Sequence, residues 1–166
     1  MILICYNKYW YKNSLLYPHL MSVMTSIDKS SKENGCLEIL EGSHKCGRID
    51  HGFVGGQTGA DVDRVELIRQ VCPHKYVELD PGDAVFFHCN LLHTSQANTS
   101  PHRRWVYICC YNLKSNNSIH EHHWASYRKI DVVPDSAIME CTNETDMSGK
   151  QFADPRENKT VIVTSY

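Results

Sequence analysis

From Leu20 to Asp28 the chain alternates apolar with small polar residues (LMSVMTSID), the period-two pattern of a half-buried strand. Glu33-Asn34-Gly35 then supplies turn chemistry, with Gly35 able to take a positive φ, before a short apolar run from Cys36 to Leu40. The two runs and their turn predict a hairpin. Gly42-Ser43 ends it. The stretch Gly47 to Ala60, with Gly52, Gly55, Gly56 and Gly59, predicts a loop long enough to act as a lid or substrate-facing insertion. Asp61 to Val71 reads either as a helical turn or as an extended segment.

The most patterned stretch follows. Tyr76-Val77-Glu78-Leu79 and Ala84-Val85-Phe86-Phe87-His88 flank Asp80-Pro81-Gly82-Asp83, where Pro81 presets φ for a corner and Gly82 takes the left-handed position, so a tight turn joins two strands. Trp105 to Tyr111 (WVYICCY) has the aromatic and β-branched content of a buried strand. About seven short strands with Gly/Pro punctuation argue for a β-sandwich or jelly roll. Beyond Asn112 the pattern weakens to one short helix, with Asp135 as N-cap and Ser136 to Glu140 as its body. There is no internal repeat.

Composition narrows the partners. With 166 residues, 42% of them hydrophobic and 22% charged, the chain is about one domain long and buries a core. A formal net charge of −2 leaves no basic face for nucleic acid and no polybasic run for membrane, so the expected partner is a small molecule or another protein, and charge alone does not say which. The eight cysteines form no C-x-x-C pair and no zinc-ribbon spacing, and they read as reduced thiols. Met1 to Cys5 is too short for a signal-peptide core, and Thr164-Ser165-Tyr166 is not a peroxisomal address. A cytoplasmic location is the expectation, and the N-x-S/T tripeptides at Asn98, Asn116, Asn143 and Asn158 are ascribed to chance.

The candidate chemistry lies in one segment. His93 is followed by Ser95 on the same strand face, and Arg104 stands eleven residues past His93. Two adjacent antiparallel strands joined by a loop of that length can present an imidazole for a metal and a guanidinium for a carboxylate to one barrel mouth. Taken alone, the spacing also suits ordinary strand and loop polar residues.

Four stretches in order resemble the phytanoyl-CoA dioxygenase family: Asp28 to Leu37 (DKSSKENGCL), Glu41 to Lys45 (EGSHK), Asp80 to His88 (DPGDAVFFH), and His93-x-Ser95-x-x-Asn98-x-Ser100 with Arg104. The resemblance covers Tyr9 to Asn112. It implies a mainly β fold, a double-stranded β-helix of the jelly-roll, cupin-like kind, incomplete here and with an irregular C-terminal tail. It also implies iron(II) and 2-oxoglutarate as cofactors, and hydroxylation of a small organic or acyl substrate. By the same analogy His93 is an iron ligand, Arg104 clamps the distal carboxylate of 2-oxoglutarate, Ser95 assists it, and Asn98 and Ser100 shape the intervening loop, where turn chemistry is their simplest role. The implied organisation is a truncated core over 9–112 and an extension over 113–166 that packs on or beside it.

One departure bears on activity. The family places a His-x-Asp pair just before the aromatic stretch matched by Tyr9-Trp10-Tyr11, and here those positions hold Ile4-Cys5-Tyr6. Neither Ile4 nor Tyr6 replaces a neutral imidazole and a carboxylate. No His-x-Asp or His-x-Glu occurs in the chain, and no catalytic residue is assigned. The expectation is an impaired oxygenase, with a non-catalytic pseudoenzyme or truncated isoform, binding 2-oxoglutarate or a protein, as the alternative. His120-Glu121-His122-His123 is read as a solvated surface run, and His44, His88, Cys109 and Cys110 as structural.

Overall fold

A computed structural model describes residues 10–11, 15–54, 57–119 and 131–142. The chain divides into two compact units, Met1–His122 and His123–Tyr166. In the second, the described secondary structure is α2 (Ala137–Glu140), with Ser136 rather than Asp135 at its N-cap.

The first unit carries β1 (Leu20–Ser26), β2 (Leu37–Leu40), a 3₁₀ turn (Ser43–Cys46), β3 (His51–Val54), β4 (Gln57–Ala60), α1 (Val62–Arg69), β5 (His74–Val77), β6 (Ala84–His88), β7 (His93–Ser95) and β8 (Val106–Asn112). Its strands form two three-stranded antiparallel sheets, in the orders β6-β1-β8 and β5-β2-β7, and a separate β3-β4 pair. The molecule is mainly β. No described helix is long and apolar enough to cross a membrane.

The period-two alternation of β1 turns Ser22, Met24 and Ser26 inward. Met24 meets Leu37, Phe87 and Leu91 in a cluster flanked by Ile39, Val77, Leu79, Val85 and Val106. That contact overturns the expected hairpin of residues 20–28 with 36–40. β1 and β2 lie in different sheets and face each other through their apolar side chains instead of pairing edge to edge. The connector is tied down locally: Ser30 and Leu79 exchange backbone hydrogen bonds of 2.8 and 3.0 Å, and the Asn34 side chain bonds the backbone of both Lys29 and Ser31. Gly35 takes φ 79°, as expected, and a Cβ there would also collide with the Gln96 carbonyl oxygen. At the 80–83 turn Gly82 takes φ 94°, and the turn carries the chain from one sheet to the other.

A second apolar cluster backs β2. Leu40, Ile49, Ala60, Val65, Ile68 and Leu92 pack together, with Cys46 and Cys72 against them. The 47–60 stretch, expected as a loop, is instead largely the β3–β4 hairpin, with His51 opposite Ala60. Its glycines suggest a loop, but Ile49 and Ala60 anchor both ends in the cluster, and Asp61 N–H bonds Asp50 O at 2.9 Å. Helix α1 resolves the open alternative at 61–71, because the Asp61 carboxylate accepts the Arg64 N–H at 2.8 Å as an N-cap.

β8 departs from expectation in burial. It is an edge strand of its sheet among the described residues, and Tyr107 is 63% exposed. Its aromatic content reflects strand propensity without burial. Cys109 is half-buried and Cys110 exposed, on opposite faces.

Candidate functional site

The candidate site is arranged around β2. β7 pairs with it so that His93 stands opposite Ile39 and Ser95 opposite Leu37, on one strand face, with His93 buried between the sheets and Ser95, at the strand's end, exposed. His93 is 9% exposed and meets the Phe87 ring edge-on at 5.3 Å between centroids. Its Nδ1 lies 2.8 Å from Leu91 O, which fixes the Nδ1–H tautomer, so that Nε2 is the nitrogen a metal would use. Burial pushes its pKa below the ordinary histidine value. The Leu91 carbonyl opposes that shift, and the nearby His51 imidazole adds to it.

His51 is a residue that sequence reasoning missed. It begins β3, and its Nδ1 lies 2.9 Å from Ile49 O. A lone histidine in a glycine-rich stretch carries no local signal; only the fold of the hairpin brings its field to His93.

Arg104 arrives from the other sheet. It is half-buried just before β8, and its Nε donates to Asn34 O at 3.1 Å, beside the start of β2. It also lies close enough to the buried Cys36 to oppose the rise in that thiol's pKa caused by burial and the carboxylates of Glu78 and Glu38. Gly35 lets the backbone at Gln96, just after β7, close onto the same point. Arg104 at Asn34, Ser95 at Leu37 and His93 at Ile39 therefore follow one another along β2.

Arg103 does something else. Its Nε reaches both Asp28 carboxylate oxygens, at 3.2 and 3.0 Å, and its guanidinium stacks on Trp105 at 4.5 Å. It lines an open cleft of about 650 Å³ with Asp28, Lys32 and Glu78, and none of His93, Ser95 and Arg104 lines it. Asn98 and Ser100 have turn roles: Asn98 Nδ2 donates to His102 O at 2.6 Å, and Ser100 N–H and Oγ bond Asn98 Oδ1 at 2.9 and 2.8 Å.

A metal centre needs more than this. Among the described residues no three His, Cys, Asp or Glu side chains gather closely enough to hold a metal ion. His93 offers one nitrogen, so the described donor set does not fit iron. Ile4, Cys5, Tyr6 and the His120-Glu121-His122-His123 run lie outside the described residues. A carboxylate fits better, since Arg104 uses Nε on Asn34 and has no ion pair among the described residues.

Residues 7–106 match the family model Phytanoyl-CoA dioxygenase (PhyH). The chain belongs to the phytanoyl-CoA dioxygenase family. Among its relatives, a probable phytanoyl-CoA dioxygenase of Caenorhabditis elegans is 33% identical over 89 residues, covering 52% of this chain and 28% of that protein. The dioxygenase lolE1 of Epichloe uncinata is 27% identical over 134 residues, covering 76% and 46%. The chain thus spans less than half the length of these relatives. Among solved structures, EctD from S. alaskensis with 2-oxoglutarate and 5-hydroxyectoine superposes with a TM-score of 0.61 at 18% identity, over 79% of this chain and 47% of that one. The same protein with bound Fe gives 0.59. These neighbours show the fold, the family's double-stranded β-helix built on facing antiparallel sheets; the 2-oxoglutarate and Fe are bound to EctD itself.

Proposed function

We propose that this chain, by ancestry an iron(II)/2-oxoglutarate-dependent oxygenase of small organic or acyl substrates, grips 2-oxoglutarate through Arg104 and Ser95 and is impaired in turnover. The observation that carries this reading is the placing of Arg104. Its Nε is spent on Asn34 O, which orients the guanidinium and leaves the terminal nitrogens for a carboxylate. Ser95 Oγ supplies a second donor from the exposed end of β7, on the strand face it shares with His93. Iron, when bound in a family member, supplies dioxygen activation. Here His93 presents one neutral imidazole, and Ile4 and Tyr6 stand where the other two ligands belong, too few donors for firm binding.

Calorimetric titration of 2-oxoglutarate tests the clamp. Arg104→Ala weakens binding by about 1.5–3 kcal/mol, roughly tenfold to a hundredfold, the scale of charge-assisted hydrogen bonds. Arg103→Ala leaves it nearly unchanged. Equal losses overturn the assignment. Succinate release, with and without iron(II), tests the impairment: background release is expected, and iron-dependent succinate that disappears in His93→Ala would establish an active oxygenase. Ile4→His combined with Tyr6→Asp raises iron affinity if those positions are where the ligands belong.

A further inference from the structure

The apolar cluster behind β2 carries two thiols that play no part in the reading above. Cys46 closes the 3₁₀ turn and Cys72 follows α1, and both pack against the group that includes Leu40, Ile49 and Ile68. Backbone pairing holds their flanks together. Leu40 and His74 are partners across β2 and β5, Glu41 N–H bonds Pro73 O at 2.9 Å, and Cys72 N–H bonds Ile68 O at 2.8 Å. Both side chains lie against the same buried cluster, and burial together with the neighbouring Cys46 thiol pushes Cys72 up. Both are partly exposed, so a small reagent reaches them. Cys36 and Cys89 differ: both are buried, and burial pushes Cys89 up to about 11.

We propose that Cys46 and Cys72 are a redox-controlled pair that closes into a disulfide across the neck of the 47–71 excursion, with a low-molecular-weight disulfide such as oxidised glutathione as the oxidant. The step balances through thiol–disulfide exchange. The Cys46 thiolate attacks one sulfur of oxidised glutathione, forming a mixed disulfide and expelling the first glutathione thiolate. The Cys72 thiolate then attacks the Cys46 sulfur, forming the protein disulfide and expelling the second. Two cysteine sulfurs are oxidised, the glutathione disulfide is reduced to two thiols, and the two cysteine protons end on those thiols. Cys46 acts first because Cys72 is the thiol held protonated by burial and by its neighbour.

The bond encloses β3, β4 and α1, the segment that brings His51 into the field of His93. Oxidation pins that segment to β2 and β5, and reduction releases it. This inference does not depend on 2-oxoglutarate binding.

The test uses the whole chain with oxidised glutathione at about pH 8, where thiolates begin to form, followed by blocking of free thiols and digestion without reduction. Mass spectrometry is expected to find the Cys46 peptide joined to the Cys72 peptide, and a thiol reductant to separate them. The oxidised unit is expected to melt several degrees higher than the reduced one. Cys46→Ser and Cys72→Ser each leave a glutathione adduct, or nothing, on the remaining partner. The mapping on the unmutated chain stands even if a variant fails to fold. Both cysteines ending as separate adducts, both remaining free, or crosslinks found only through Cys109, Cys110 or Cys141 would overturn the proposal.

Discussion

β1 and β2 are both central strands of three-stranded antiparallel sheets, and their surroundings differ. β2 is covered on both faces. Leu37 packs inward against Met24, while Leu40 is sealed behind by the 3₁₀ turn, the anchors of the β3–β4 hairpin and α1. Among the described residues, β1 is covered on its inward face alone. The outward face of its sheet shows Phe86 on β6 at 64% exposure, with Tyr107 on β8 and Met21 on β1 itself also exposed. Even inward-facing Ile108, opposite the buried Met24, is 45% exposed. The same ladder geometry thus yields a strand fixed by packing and a strand fixed on one side. The candidate ligand-binding residues line up along the well-covered strand, where a few tenths of an ångström decide whether a guanidinium meets a carboxylate.

Removing cover from β2 has the largest effect. Leu92 and Leu40 are almost fully buried, and Leu92→Ala or Leu40→Ala costs about 2–5 kcal/mol, measured by chemical denaturation. A loss under about 1 kcal/mol would mean that the second cluster is loosely packed and the contrast false.

A smaller loss follows at Glu38, buried on the same strand with Oε2 2.8 Å from His74 Nε2. His74→Ala leaves that carboxylate without its partner and costs about 1–3 kcal/mol by the same assay. Glu38→Gln combined with His74→Ala recovers part of the loss.

Acid discriminates next. Burial pushes both His93 and His88 below their ordinary value of 6.5, and the His44 and His19 imidazoles reinforce it at His88. Above that value neither histidine is charged in either state, so neither contributes. As pH falls through it the unfolded chain takes up protons that the folded chain refuses, and stability is lost progressively down to the folded pKa values. Denaturation midpoints are expected to be lower at about pH 5.5 than at about pH 7.5, and His93→Gln to flatten that dependence. A slope that is the same in both proteins would assign the effect elsewhere.

The outward face of β1's sheet gives the smallest effect. Phe86→Ser changes stability by about 0.5 kcal/mol or less, because the ring is already in water. A loss as large as that of Leu40→Ala would show that this face is covered in solution.

Local pattern made part of this legible. Alternation in LMSVMTSID marks β1, and Pro81-Gly82 marks the corner that carries the chain between sheets. Partnership was not legible, because an alternating strand states which face is apolar and says nothing about what lies beside it. That is why residues 20–28 and 36–40 read as a hairpin although Met24 and Leu37 meet face to face. The β3–β4 hairpin was hidden by its glycines, since its anchors Ile49 and Ala60 are recognisable only beside Leu40 and Leu92. At the site, residue types nominated His93, Ser95 and Arg104. Their order along β2, and the nearness of His51, depend on contacts too distant in sequence for any local pattern to carry.

The hydrogen bond from Arg104 to Asn34 spans seventy positions and fastens the approach to β8 onto the start of β2. Such a contact forms only after a long loop has closed, and so belongs to the late, slow part of assembly. A dicarboxylate that recognises Arg104 in this setting binds the completed fold and ignores every earlier species. Mass action then turns occupancy into resistance to unfolding, growing with the logarithm of ligand concentration once the site is saturated. A titration of melting temperature against 2-oxoglutarate would therefore read the affinity of the site and the completeness of the fold in one curve, with no need for turnover.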